Sequence, residues 1–252
     1  LISQGNVSGN KIRVNGLDVY CAIGNVDECV QWGKTLSGAV QALGSIINKD
    51  LKILVVVTSG MQVLMLSAFE VLRKYDGIAA IDVTQPLSKN LYNALHSVAE
   101  LAIRKDLGSS ISRWALEGMA SALALEALRA SNENAFREVL NKIASEKCVD
   151  LDKLFSWRFP VDIGEGFTII GGAGEDTANV VKQLVSTLAK SLEGDLIGHI
   201  SGSEKALYST AARVFYRLIE KYGVNEIYKL LTDESTLRQR IEDAYKEACS
   251  AD

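Results

Sequence analysis

His96 and Glu100 stand four residues apart in the stretch Asn90 to Leu125, which reads as two helices joined by a tight turn. At that spacing on a helix, imidazole and carboxylate lie on one face, one above the other. Glu117 falls in the first turn of the second helix, within Trp114-Ala115-Leu116-Glu117-Gly118. One imidazole and two carboxylates are groups that hold protons or ligate metals. Taken alone, His96 reads as a half-buried histidine bonded to Glu100.

The positioning elements follow from periodicity. Between Leu87 and Leu107 the apolar positions Leu87, Leu91, Ala94, Leu95, Val98, Ala99, Ala102 and Ile103 repeat with a helical period and a wide apolar face. Gly108 ends this helix, Ser109-Ser110 make the turn, and a second helix runs from about Arg113 to Ala130.

The pattern resembles the gluzincin, or peptidase MA-like, zinc metallopeptidases. In that group one helix carries H-E-x-x-H and the next a W-x-x-E-G-like segment. The resemblance places His96-Ser97-Val98-Ala99-Glu100 on the zinc motif and Trp114, Glu117 and Gly118 on the second segment. It implies metal ligands at His96, Glu100 and Glu117, with Glu100 in place of the second histidine. Ser97 stands where the general-base glutamate belongs. A rival register, Tyr92-Asn93-Ala94-Leu95-His96, loses both the first histidine and the base. A site richer in carboxylates is harder than a two-histidine zinc site and suits zinc less well. The missing base carries a role usually worth about 100- to 10,000-fold in rate. The reading that follows is a pseudopeptidase: a catalytically inactive metallopeptidase-like scaffold that binds peptide or protein and needs no cofactor. It expects little stability change from Glu117→Ala. One alternative is a metal-dependent hydrolase using zinc or another divalent ion on the atypical His/Glu/Glu set, with stoichiometric metal and activity lost in Glu117→Ala. Another is a structural subunit of an assembly.

Length and composition bound the rest. At 252 residues the chain can bury a large core. Hydrophobic residues make up 48% with only 2 Pro, which favours a helix-rich globular protein. Net charge is −4 and no basic stripe interleaves with aromatics, which argues against nucleic acid. No run reaches the length of a membrane span. The chain begins at Leu1 and reads as a processed or trimmed product; Asn6-Val7-Ser8 is a glycosylation sequon. Cys21, Cys29, Cys148 and Cys249 lack zinc-ribbon or CxxC spacing. A Cys21–Cys29 disulfide is geometrically conceivable, but two buried free thiols are the favoured reading. Oligomeric state and compartment are not legible.

In chain order, Lys11 to Val14 and Leu17 to Ile23 predict strands joined at Asn15-Gly16, a hairpin signal. Asp27 to Ile47 predicts a long helix with Asn25 near its cap. Leu51 to Thr58 is the best strand and belongs in mid-sheet. Gly60 to Lys74 predicts helix, and Gly77 to Val83 a further strand closed by Pro86. Later helices are expected over Asn132 to Glu146, Leu151 to Trp157, Thr177 to Leu192, Ser203 to Gly223, Val224 to Leu231 and Asp233 to Ala248. The run Gly171 to Gly174 precedes a helix but lacks the Walker lysine. Glu175 and Asp176 there would repel a phosphate, so it reads as a loop and helix cap. His199 reads as an exposed loop histidine. By the resemblance, Ala79, Ala80, Ile81, Asp82 and Val83 would form the rim of a substrate cleft and take an extended peptide by strand addition. Tyr208 is the candidate for an oxyanion-stabilising tyrosine. Residues 177–192 look like an insertion relative to that family. The expected architecture is helix-rich α/β (α+β): an N-terminal mixed-sheet lobe over residues 1–86, then an all-helical lobe over 87–252. Both belong to one compact catalytic-type unit with the motif helix at their junction.

Overall fold

A computed structural model describes residues 10–59, 74–108, 111–157 and 202–249. The helix expected over Gly60 to Lys74, the Gly171 to Gly174 run, the Thr177 to Leu192 helix and His199 lie outside the described residues, apart from Lys74 itself. The described chain is helix-rich with one small mixed sheet, the α/β class expected from the sequence.

Strands β1 (Asn10–Val14) and β2 (Leu17–Cys21) form an antiparallel hairpin with Val14 opposite Leu17. Asn15 and Gly16 turn the chain with φ of 47° and 87°. A type I′ hairpin turn needs positive φ at both positions, and Asn-Gly supplies it at low steric cost. Helix α1 (Val26–Ile47) follows; the Asn25 side chain accepts from the Glu28 amide at its start. Asn48, with φ 55°, closes it by donating its amide to the Gly44 and Ser45 carbonyls. Strand β3 (Ile53–Thr58) is buried along its whole length and pairs in parallel with β2 on one side and β4 (Gly77–Asp82) on the other. Its largely β-branched run, ILVVVT, is what a strand covered on both faces requires. The sheet order is β1-β2-β3-β4, so β3 is interior and β4 is an edge among the described residues.

Side chains alternate across the sheet. Val19, Cys21, Val55, Val57, Ala79 and Ile81 face the main core, while Leu54, Val56 and Ile78 join Tyr75 in a second cluster on the opposite face.

Helices α2 (Leu87–Leu107) and α3 (Arg113–Ser131) have the bounds that periodicity indicated. Every residue of α3 from Arg113 to Leu125 is buried. A helix apolar nearly all round must lie inside the fold, and α3 packs against α1, α2, α4 (Glu133–Ala144) and α6 (Gly202–Tyr222). Short α5 (Leu151–Phe155), α7 (Val224–Leu230) and C-terminal α8 (Glu234–Cys249) complete the described chain. The α3–α6 seam depends on Gly118. A Cβ there would stand 2.7 Å from Phe215 Cε2, and Phe215 is fully buried. Gly118→Ala is therefore expected to overpack the seam and lower unfolding free energy by about 1–3 kcal/mol despite alanine's better helix propensity. Urea denaturation checks this; an unchanged or raised midpoint would contradict the close approach.

All four cysteines are paired, Cys21 with Cys29 and Cys148 with Cys249. The favoured reading of free thiols is thus overturned. The end of β2 and the first turn of α1 bring the first two Cα atoms to 5.8 Å. The C-terminus of α8 reaches the α4–α5 connection and brings the second pair to 5.9 Å, and both distances suit a bridge. No helix among the described residues is long and apolar enough to cross a membrane.

Candidate functional site

Helices α2 and α3 lie side by side and bring the three sequence-selected residues together. One ligand atom from each of His96, Glu100 and Glu117 lies within 4.8 Å of the other two, and all three residues are buried. The expected His96–Glu100 pairing is not the one that forms. His96 Nε2 stands 3.5 Å from Glu117 Oε2, across the helix pair. Glu100 instead takes Arg104, one turn further along α2, whose Nε donates at 3.0 Å and whose Nη2 lies at 2.9 Å. His96 is also far from half-buried, at 2% exposure.

Arg113, which opens α3, is the group that sequence reasoning missed. Its guanidinium is 4% exposed, with Nε 3.7 Å from Glu117 Oε1 and Nη1 3.3 Å from Glu204. Nη2 donates to the Tyr208 hydroxyl at 3.3 Å, and that hydroxyl donates in turn to Glu117 Oε1 at 3.3 Å. The guanidinium also stacks over Trp157, 4.5 Å from the ring centroid, and Trp157 meets Tyr208 edge-on at 4.6 Å. Two features of the sequence pointed to Arg113. It sits one helical turn before Glu117, and a cation in the first turn of a helix opposes the macrodipole, so something else must hold it there. Trp157 and Glu204 left no such trace, because they reach the cluster from distant parts of the chain.

The electrostatics are those of a closed network. Burial works against the Arg113 cation, but Tyr208, Glu117 and Glu204 together hold its pKa above the ordinary guanidinium value. Burial first, and then the Glu117 charge, push the Tyr208 hydroxyl well above its usual pKa, with Arg113 opposing. Tyr208 therefore stays a neutral O–H that accepts from Arg113 and donates to Glu117. Tyr92, one turn before His96, is raised to about 12 by burial, with the Ser121 hydroxyl opposing and the Glu117 charge adding.

The donor types and their convergence suit a divalent ion, but the charge already present does not. Tetrahedral zinc with bonds of about 2.0–2.2 Å needs its ligand atoms about 3.4 Å apart, and His96 Nε2 and Glu117 Oε2 already stand 3.5 Å apart. Each carboxylate already faces a guanidinium from its own helix, Glu100 with Arg104 and Glu117 with Arg113. A dication would add charge where the negative charge is matched.

Among the described residues, one of the strand residues 79–83 keeps its backbone groups turned away from β3 without a side chain of α2 across them. The Val83 amide donates to the Thr58 carbonyl, so in a parallel pair the odd-numbered residues of β4 point their backbone groups at β3. Ala79 and Ile81 are therefore occupied. Asp82 faces outward, but Asn90 at the start of α2 takes both its groups: the Asp82 amide donates to Asn90 Oδ1 at 3.0 Å, and Asn90 Nδ2 donates to the Asp82 carbonyl at 2.8 Å. Ala80, with Ile78 before it, carries the outward backbone groups.

Neither a family model, nor a curated protein, nor a solved structure matches the chain.

Proposed function

We propose that the chain is a gluzincin-like pseudopeptidase, a metallopeptidase-type helix pair that has given up catalysis and binds an extended peptide or protein segment. The charge balance at the cluster carries this reading. Glu100 and Glu117 each engage a guanidinium one helical turn away on their own helix, and Ser97 stands where a general base is needed. The HSVAE and WALEG segments on adjacent helices, preceded by a sheet that ends on β4, support the family assignment and the division into a sheet lobe and a helical lobe. The outward groups of Ile78 and Ala80 at the sheet edge support strand addition as the binding mode. A second reading, a divalent-metal hydrolase on His96, Glu100 and Glu117, draws on the convergence of those three residues alone.

The substitution Ala80→Pro tests the binding mode. It removes an outward amide while leaving the β3 ladder intact, and edge strands tolerate proline. A peptide selected from a display library should bind the wild-type chain and lose about tenfold in affinity on Ala80→Pro, the worth of a lost backbone hydrogen bond. Failure to select any extended peptide, or binding indifferent to Ala80→Pro, would contradict it.

A further inference from the structure

We infer that the Arg113 guanidinium is the built-in cation of the His96–Glu117 pair, filling by charge the role of a divalent metal, and that removing this charge turns the cluster into a metal site. The inference does not depend on peptide binding, because the charge relation holds whatever the β4 edge takes.

Three observations converge on it. The first is the ligand geometry of His96, Glu100 and Glu117, one donor from each converging in a buried setting. The second is the placement of Arg113. It is 4% exposed, at a helix N-terminus where the macrodipole disfavours a cation, yet Nη2 donates to Tyr208, Nη1 and Nε stand at ion-pair range of Glu204 and Glu117, and the guanidinium lies over Trp157. Such a planar fork, with separate partners at each nitrogen, fixes the charge in one place beside Glu117. The third is the like-charge relation. A dication bound by Glu117 would sit close to a guanidinium already 3.7 Å from the same carboxylate, and at that range in a buried site the repulsion is large. A buried carboxylate needs a counter-charge, and Arg113 or a metal ion can each supply it. Arg104 plays the corresponding part for Glu100 but is reached from the outer side of α2 and is more exposed, at 12% of its side chain. Arg113 is the one that shares its carboxylate, Glu117, with the histidine.

The test uses the full chain and Co(II), whose visible ligand-field absorption reports coordination. Wild type and Arg113→Lys, which both keep the charge, should show no saturable Co(II) binding. Arg113→Gln, which keeps a donor for Tyr208 but not the charge, should bind one equivalent at least about 100-fold more tightly than wild type. Arg113→Gln combined with His96→Ala should lose it again. The inference is overturned if wild type binds one equivalent as tightly as Arg113→Gln, or if Arg113→Gln keeps the wild-type circular dichroism and gains no affinity. Should Arg113→Gln fail to fold, the thermal midpoint of wild type with excess Zn(II) decides. An unchanged midpoint upholds the inference, and a rise that His96→Gln abolishes overturns it.

Discussion

Replacing Cys148 and Cys249 together by serine is expected to cost about 2–5 kcal/mol of unfolding free energy, because the bridge they form closes a very long loop. The two positions are 101 residues apart in sequence, and constraining a loop of that size in the unfolded chain is worth about 4.7 kcal/mol in the chain-entropy account. The native surroundings hold the same junction by other means. Tyr245 donates to the Val149 carbonyl at 2.9 Å, the Val149 amide donates to Thr210 at 3.0 Å, and Arg213 reaches the carbonyls of Glu146 and Ala248. The serine variant should therefore keep its fold while its urea midpoint falls. The Cys21–Cys29 bridge closes only an 8-residue separation, so its serine pair should cost less. Paired urea titrations of the two double variants check the order. Equal losses, or a larger one at Cys21–Cys29, would show that local strain or residual structure governs instead.

Glu117→Ala is expected to be the most damaging single change at the cluster, at about 3–5 kcal/mol, because it takes from a buried guanidinium its one buried carboxylate and leaves only the more exposed Glu204. Glu117 is 2% exposed and shares Arg113, Tyr208 and His96. This reverses the expectation from sequence that a non-catalytic scaffold would barely notice the change. That expectation weighed only the loss of a metal ligand, whereas Glu117 is buried and balances the charge of Arg113. Glu117→Gln should cost less, since the amide oxygen still accepts from Tyr208. Pairing Glu117→Ala with Arg113→Met should recover part of the loss, giving a coupling of about 1–3 kcal/mol in a double-mutant cycle. Urea denaturation of the four proteins measures it, and strictly additive losses would mean that the two residues do not share a network.

Much of the frame was legible because it rests on local rules. The Asn15-Gly16 turn, the Asn25 cap, the interior position of β3 and the bounds of α2 and α3 follow from turn chemistry and from apolar periods of two and 3.6 residues. The juxtaposition of His96 with Glu117 was legible through the two motif segments. Tyr208 was reached only through the family resemblance, and Trp157 and Glu204 were not legible at all, because they arrive from distant points in the chain and spacing carries no information about such contacts. The local reading of His96 with Glu100 failed for a related reason. Two residues on one helix face can pair, but Arg104 offered Glu100 a full charge while His96 turned to the neighbouring helix. The Cys148–Cys249 pairing escaped notice because it depends on where the end of α8 docks, whereas Cys21–Cys29 was conceivable from its local spacing but not favoured. Which backbone groups of β4 face outward needs the pairing register and the Asn90 bonds, neither of which composition reveals.

Incubating the full chain, resupplied with zinc, manganese and iron, with a diverse peptide library and reading the products by mass spectrometry tests the central claim most directly. The account predicts that extended peptides are retained by the protein and recovered uncut, with a product spectrum the same as that of His96→Ala. New peptide termini produced by the wild-type chain and absent with His96→Ala would contradict it, and would make the His96, Glu100 and Glu117 cluster a working hydrolytic centre.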